Sequence, residues 1–137
     1  MLLDRRSKKR ENLRAVAEYR TLKVPKSLMF KAPPNTVKAP LLDISIGGCA
    51  LESPYAIPLQ VMISIRIDPL VFAIGVSERR NDPLEMTGLV TSCVSMGHER
   101  YRLGICFIRI KKKDISLIKR FMRSKDRRKF PRFSLPR

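Results

Sequence analysis

The sequence predicts a mainly β fold, namely a small antiparallel β-barrel with a C-terminal α-helix. Several short runs alternate apolar and polar residues with a period of two, which is typical of strands with one buried face. Turn-forming residues separate these runs at short intervals, and a single amphipathic run follows the last of them. The 137 residues also match one ordinary domain, which usually has about 100–150 residues.

The first half of the chain contains three predicted strands. Residues 16–31 are predicted to contain the first strand, since apolar residues recur along them. Their rhythm is loose and is interrupted at Pro25. Residues 37–44 form the second strand. The pair Gly47-Gly48 ends that strand and Cys49 begins the third, which predicts a tight strand–turn–strand unit.

The second half adds a strand and a hairpin. Residues 61–67 alternate strictly and predict a strand, whereas residues 70–76 are an apolar run that forms either a further strand or a loop filling the core. Residues 86–94 and 101–110 predict a hairpin that turns near Gly97. Five or more strands therefore suggest a small barrel. The second arm of the hairpin places one set of side chains inward: Tyr101, Leu103, Ile105 and Phe107.

A terminal helix, at about residues 112–124, completes the predicted fold. We expect Asp114 to cap this helix, and the basic residues near its C-terminus to interact favourably with the negative end of the helix dipole. Because the apolar residues recur at helical spacing, this helix should pack on the sheet. The apolar stripe consists of Ile115, Leu117, Ile118, Phe121 and Met122.

The formal net charge of +17 points to an anionic partner, such as a phosphorylated ligand, a nucleic acid or an acidic membrane face. Residues 1–31 hold 10 basic and 3 acidic side chains, residues 32–108 hold 6 and 7, and residues 109–137 hold 13 and 2. The middle of the chain is thus nearly neutral. We expect the middle to fold and the two ends to attract anions.

The sequence contains no recognisable catalytic constellation. His98 is the only histidine, which excludes catalytic triads and multi-histidine metal sites, and no phosphate-binding glycine motif is present. The three cysteines lack zinc-site spacing and are expected to be reduced, buried thiols. No signal peptide and no apolar stretch of about 18 residues is found, so we expect a cytoplasmic protein without a membrane span.

A short polar turn is the first candidate binding element. Asp43-Ile44-Ser45-Ile46-Gly47-Gly48 lies where a strand ends, and it combines a carboxylate, a hydroxyl and two glycines. Asp43 can accept hydrogen bonds from a guanine, Ser45 can donate to a phosphate or a base edge, and Gly48 can adopt a positive φ or allow close approach of a ligand. An ordinary turn closing a hairpin would also explain these residues.

An arginine-rich segment is the second candidate. Residues 4–14 contain Arg-x-x-x-Arg twice, as Arg6/Arg10 and as Arg10/Arg14. Arginine suits guanine nucleotides because its planar fork meets the guanine O6/N7 edge, stacks on purines and pairs with phosphate. Taken alone, the same run would fit a solvated basic tail or a nonspecific polyanion binder.

Together the two candidates resemble the signature of the PilZ domain family. That signature is Arg-Arg-x-x-x-Arg, a spacer with the first strand, and then Asp/Asn-x-Ser-x-x-Gly at a strand turn. The matching residues are Arg5-Arg6-Ser7-Lys8-Lys9-Arg10 and Asp43-Ile44-Ser45-Ile46-Gly47-Gly48. Gly104-Ile105-Cys106-Phe107 is similar to the closing strand of the family. The resemblance implies a six-stranded antiparallel barrel that binds cyclic di-GMP, often as a stacked dimer.

The resemblance also implies residue roles. Arg6 and Arg10 would contact guanine edges and phosphates, and Arg5 would add a phosphate or stacking contact. Asp43 and Ser45 would read the base, and the last residue of the turn, Gly48, would permit its geometry. No cofactor and no enzymatic activity are implied. Binding would instead relay a signal to a downstream protein that the sequence does not identify.

Two departures leave alternatives open. Arg10 is followed by polar residues, whereas Arg14 leads directly into a strand-like run, so the register is either Arg6/Arg10 or Arg10/Arg14. A second copy of the motif lies near the C-terminus. It is the remnant of a tandem domain, a second arginine segment that folds back on the site as a second clamp, or a chance match within a basic tail. Its arginines are Arg127, Arg128 and Arg132.

These interpretations divide the chain into three parts. Residues 1–15 are expected to be a flexible ligand-binding segment, residues 16–124 the barrel with its helix, and residues 125–137 a basic tail. Two rival functions remain, a basic barrel that binds RNA or DNA and an adaptor that has lost nucleotide binding. Nucleic acid is less favoured because the chain has no Trp and its strand aromatics fall on the buried alternation.

Overall fold

A computed structural model of the chain describes residues 15–68 and 82–123. Within these residues it contains six strands and one helix. They are β1 (Ala15–Lys23), β2 (Val37–Ile44), β3 (Gly48–Ser53), β4 (Met62–Ile67), β5 (Leu84–Gly97), β6 (Arg100–Ile110) and α1 (Lys112–Arg123).

The six strands form a closed barrel in the order β1-β2-β3-β6-β5-β4, and every neighbouring pair is antiparallel. Closure depends on β1, which pairs with β2 on one side and with β4 on the other. The predicted six-stranded antiparallel barrel with a C-terminal helix is therefore confirmed. Residues 70–76, the predicted strand or core-filling loop, lie outside the described residues.

The core follows from the period-2 alternation of the strands. Ile63, Ile65 and Ile67 of β4 are fully buried, whereas the residues between them reach the surface. In β6 the predicted alternation is confirmed, with Leu103 and Ile105 buried and the flanking aromatics packed against the core. Burial of such side chains stabilises the fold by about 1.5–3 kcal/mol each.

One hydrogen-bonded polar group lies within this apolar interior. Tyr19 of β1 is buried, and its hydroxyl lies 2.6 Å from the Oγ of Ser53 at the end of β3. Either hydroxyl can be the donor of this hydrogen bond, because the Ser53 hydroxyl can donate to Tyr19 or to the carbonyl of Tyr55. Burial raises the pKa of Tyr19, although the hydrogen bond to Ser53 opposes that shift.

The antiparallel pairing gives the barrel two distinct ends. At one end, which we call the turn end, residues 45–47 connect β2 to β3, β1 begins and β6 passes into the helix. At the other end, the hairpin end, a tight turn connects β5 to β6. His98 and Glu99 in that turn have positive φ angles of 54° and 59°. His98 is exposed.

The helix α1 packs at the turn end through Ile118 and Phe121, which belong to the core cluster. The prediction that Asp114 caps this helix is wrong, because α1 already begins at Lys112 and Asp114 lies inside its first turn. The Asp114 side chain is buried, and its Oδ2 accepts a hydrogen bond from the backbone N–H of Glu85 at 3.3 Å. Asp114 therefore holds the helix against the start of β5.

Candidate functional site

The Asp-Ser-Gly motif forms the connection between β2 and β3 at the turn end. The Ser45 N–H donates to the Gly48 carbonyl at 2.8 Å, which closes the turn. The Ser45 Oγ accepts from the Gly47 N–H at 3.2 Å and lies 3.5 Å from the Gly48 carbonyl oxygen. Since 3.5 Å is long for a hydroxyl donor, the Ser45 O–H is available for a shorter hydrogen bond to a ligand.

Asp43 lies beside Ser45 and presents its carboxylate at the surface. Its Oδ1 accepts from the backbone N–H of Ile44 at 2.9 Å, which holds the side chain in one orientation. Within the described ranges, Asp43 forms no ion pair, unlike Glu52, Glu85 and Asp82, which pair with Arg100, Arg66 and Lys113. The Asp43 carboxylate is therefore a strong acceptor that the described barrel leaves uncompensated.

Gly48 does not have the positive φ that the sequence analysis considered, whereas the close approach of a ligand to it stays a prediction. Gly97 is the one described glycine with a positive φ, so Gly48 is not needed for a left-handed backbone. Instead, Gly48 pairs with Cys106 of β6, and a Cβ on Gly48 would collide with the carbonyl oxygen of Ile105. The neighbouring Gly47 carbonyl accepts from the Phe107 N–H at 2.9 Å. Gly48 therefore permits close approach of β6 to the turn.

The outer face next to the turn carries small residues that the sequence interpretation did not assign to the site. Gly48 pairs with Cys106, and Ala50 pairs with Gly104. These residues alternate with the inward-facing Leu51, Leu103 and Ile105, so they lie on the outside of the barrel. The strict alternation of residues 101–107 predicts that Gly104 and Cys106 face outward, but their position beside the turn depends on the pairing of β3 with β6.

The cysteines differ from expectation in their burial. All three are free thiols, as predicted, but only Cys49 is buried, Cys93 is half-buried and Cys106 is exposed. Burial raises the pKa of the Cys49 thiol far above its usual range, and the negative charge of Asp43 raises it further. Cys49 thus stays protonated and unreactive beneath the turn.

The predicted arginine contacts lie outside the described residues. This applies to Arg5, Arg6, Arg10 and Arg14, and equally to Arg127, Arg128 and Arg132. The described barrel nevertheless defines where the arginine-rich segment joins it. Ala15, the first residue of β1, pairs with Leu41, which is two positions before Asp43 in β2. The chain preceding Ala15 therefore joins the barrel beside the Asp-Ser-Gly turn.

The closed six-stranded barrel defines the class of protein as a small antiparallel β-barrel domain with a polar turn at its surface. The family model for the PilZ domain matches residues 4–124, which include both candidate motifs. The chain belongs to the PilZ domain family. No curated protein is similar enough to the chain to count as a match.

Membership defines the function at a coarse level. PilZ domains form a family of cyclic di-GMP-binding receptors, and they are binding or adaptor modules, not enzymes. Among residues 15–68 and 82–123, no group of three His, Cys, Asp or Glu side chains could hold a metal ion. The one described helix is too short and too polar to cross a membrane.

Proposed function

We propose that this chain is a receptor that binds cyclic di-GMP between its arginine-rich N-terminal segment and the Asp43-Ser45-Gly48 turn, and relays binding to a partner protein. Arg5, Arg6, Arg10 and Arg14 are the proposed arginine ligands. The cytoplasm, where soluble second messengers act, is the proposed location. No cofactor takes part.

The observation that carries this proposal is the register of β1 with β2. Ala15 pairs with Leu41, and Arg14 directly precedes Ala15 in the chain. A residue advances a strand by about 3.3 Å, so a ligand bound at Asp43 lies within reach of several arginine side chains. This register supports one shared site for the two motifs, which are separated by about 30 residues in sequence.

The chemistry of the turn complements the chemistry of arginine. The exposed Asp43 carboxylate is an acceptor for the N1–H and N2 amine of a guanine, and the Ser45 hydroxyl is a donor for a phosphate oxygen. Arginine supplies the remaining contacts, because the guanine O6/N7 edge and the phosphates are acceptors. Gly48 and Gly104 carry no side chain on the outer face next to the turn.

The arginine register determines which pair makes the base contacts. In the Arg10/Arg14 register, the second arginine directly precedes Ala15. In the Arg6/Arg10 register, the chain would need to fold back over the turn to bring both arginines to the ligand. The C-terminal copy, Arg127, Arg128 and Arg132, follows α1, which also lies at the turn end. It is a proposed second clamp, and a stacked dimer of the ligand would give both clamps a partner.

Calorimetric titration of the full chain with cyclic di-GMP at moderately high salt tests the proposal. We expect saturable binding that GTP, the linear dinucleotide and single-stranded RNA do not reproduce. Arg10→Ala and Asp43→Ala should each weaken binding by about tenfold or more, because each removes a charged hydrogen-bonding group. Arg14→Ala compared with Arg6→Ala identifies the register, and Arg128→Ala tests the second clamp.

Arg20→Ala is the matched control, because it removes the same charge from the exposed outer face of β1, away from the turn. It should bind as the unaltered chain does. Absence of cyclic di-GMP binding would favour an adaptor without nucleotide. Equal, salt-sensitive binding to every polyanion would favour a nucleic-acid binder, as the charge of +17 alone would suggest.

A further inference from the structure

β5 extends beyond the strand that pairs with it. β4 pairs with β5 from Leu84 to Leu89, and the backbones of Gln60 and Val61 bond to Val90. On its other side β5 pairs with β6 as far as Gly97. Within the described part of the chain, residues 91–97 thus have a strand partner on one side only. We call these seven residues the open edge.

The open edge has only part of the usual protection of an edge strand. Its sequence, Thr-Ser-Cys-Val-Ser-Met-Gly, contains neither a charge nor a proline. Two bulges, between Val90 and Ser92 and between Ser95 and Gly97, leave Ser92–Ser95 in regular register with β6. This regular stretch presents unpaired backbone groups of the kind that an added strand can bond.

Apolar side chains are exposed along the same edge. Val94 is 57% exposed and Met96 is 43% exposed. Leu59, which is half-exposed, directly precedes Gln60, whose N–H donates to the Val90 carbonyl at 2.8 Å where the open edge starts. Exposed apolar groups beside unpaired backbone are the two features that strand-addition sites combine.

The charges at the hairpin end indicate the kind of occupant. Lys23 at the end of β1 and Lys26 and Lys31 in the following loop are exposed, as is Glu99 in the β5–β6 turn. None of these four forms an ion pair within the described residues, so positive charge predominates among them. The chain as a whole carries +17. A second copy of the chain carries the same positive charge and would be repelled, whereas an acidic segment would be attracted.

We propose that the open edge is a docking surface for an extended, acidic segment of a partner protein, which adds to β5 as an extra strand. Its backbone bonds to Ser92–Ser95, its apolar side chains contact Val94 and Met96, and its acidic residues face the lysines. This surface lies at the hairpin end, so nucleotide and partner can be bound together. The docking surface would provide the partner contact of the proposed relay, so this inference rests on that part of the proposed function.

The test uses the full chain without nucleotide. The probe is a short synthetic peptide with aspartates at both ends and alternating valine and threonine between them. We expect the peptide to bind, and to slow amide hydrogen exchange in residues 92–95 as measured by NMR. Val94→Lys should weaken peptide binding by about tenfold, because a charge on an edge strand opposes strand addition.

Ile108→Lys is the matched control, because Ile108 is a similarly exposed β-strand residue, at 49%, away from the open edge. It should bind the peptide as the unaltered chain does. The proposal is overturned if the peptide does not bind, if Val94→Lys binds equally well, or if a peptide with lysine ends binds as tightly. A dimer of the chain that Val94→Lys dissociates would also overturn it, since the occupant would then be a second copy.

Separate titrations keep the two proposals distinguishable. If the peptide binds but cyclic di-GMP does not, the docking surface is supported and the proposed binding of cyclic di-GMP is contradicted. Cyclic di-GMP binding without peptide binding would overturn the docking surface alone.

Discussion

Gly47 and Gly48 are adjacent in sequence, yet only one of them is sterically required. A Cβ on Gly48 would meet the backbone of β6, whereas a Cβ on Gly47 would meet nothing within 4 Å. Neither residue has a positive φ. The two glycines of one turn thus have unequal structural importance, although they are chemically identical.

This difference predicts unequal effects of substitution. Gly48→Ala should lower the free energy of unfolding by about 1–3 kcal/mol, because the clashing atom is backbone and cannot move aside. Gly47→Ala should change it by less than about 0.5 kcal/mol. Urea denaturation of both variants checks this. Equal stabilities would mean that β6 does not approach Gly48 as closely as described.

Cys49 predicts a pH dependence of stability. Burial, and then the charge of Asp43, raise the pKa of this thiol above its ordinary value of 9.0. The folded state therefore keeps a proton that the unfolded state releases, and stability falls as the pH rises above 9.0. Burial raises the pKa of Tyr19 as well, which lowers stability in the same direction above its ordinary value of 10.0.

The check is urea denaturation from neutral pH to about pH 10.5. The free energy of unfolding should decline over the alkaline part of this range. In Cys49→Ala the absolute stability is lower, but the decline with pH should be shallower because one of the two groups is absent. An identical slope in both proteins would show that Cys49 does not contribute.

At the scale of elements, the attachment of α1 depends on one buried carboxylate in addition to apolar packing. Asp114 is fully buried and accepts the N–H of Glu85, while Ile118 and Phe121 enter the core cluster. The helix is therefore fixed to the start of β5 by a polar contact near its beginning and by apolar contacts further along.

Asp114→Ala should lower the free energy of unfolding by about 1–3 kcal/mol, since it removes a fully buried carboxylate and leaves the part-buried N–H of Glu85 without that acceptor. Ser116→Ala on the exposed side of the same helix is the control and should change stability by less than about 0.5 kcal/mol. Thermal and urea unfolding provide the measurement. If the two variants were equally stable, the contact with β5 would not stabilise the helix.

Element boundaries illustrate what local sequence contains. β2 was predicted at residues 37–44 and is observed at Val37–Ile44, because alternation and turn residues on both sides are local signals. β3 begins at Gly48 instead of Cys49, and β5 continues to Gly97 beyond the predicted residue 94. Both extensions result from pairing with β6, which no local pattern specifies.

At the scale of the whole molecule, the two ends of the chain are more strongly basic than the barrel. Residues 1–14 and 124–137 hold 12 basic and 3 acidic side chains, whereas the described residues 15–68 and 82–123 hold 15 and 8. The division into a segment at 1–15, a barrel at 16–124 and a tail at 125–137 stays a prediction.

A shortened chain beginning at Ala15 tests that division. Because every described strand lies at or after Ala15, we expect it to keep the far-ultraviolet circular dichroism of the barrel. It should also lose cyclic di-GMP binding by about a hundredfold or more, since all four N-terminal arginines are removed. Retained binding would move the proposed ligand contacts to the barrel or to the C-terminal tail.

The candidate site was partly predictable. The Asp43-Ser45-Gly48 turn was identified from residue type and spacing, and its position between two strands is as predicted. The positive φ considered for Gly48 was wrong. What Gly48 permits is the close approach of Ile105, which belongs to a strand more than 50 residues away in sequence. Gly104 and Cys106 were not assigned to the site for the same reason.

Strand positions, the inward-facing residues, the amphipathic helix and the polar turn all follow from patterns within about ten neighbouring residues, so the linear chain specifies them. Local patterns do not specify four other features: closure of the barrel through β1 and β4, the pairing of Ala15 with Leu41, the open edge of β5 and the attachment of the helix through Asp114. These features depend on hydrogen-bond register and side-chain packing between distant segments, which exist only once the sheet has closed.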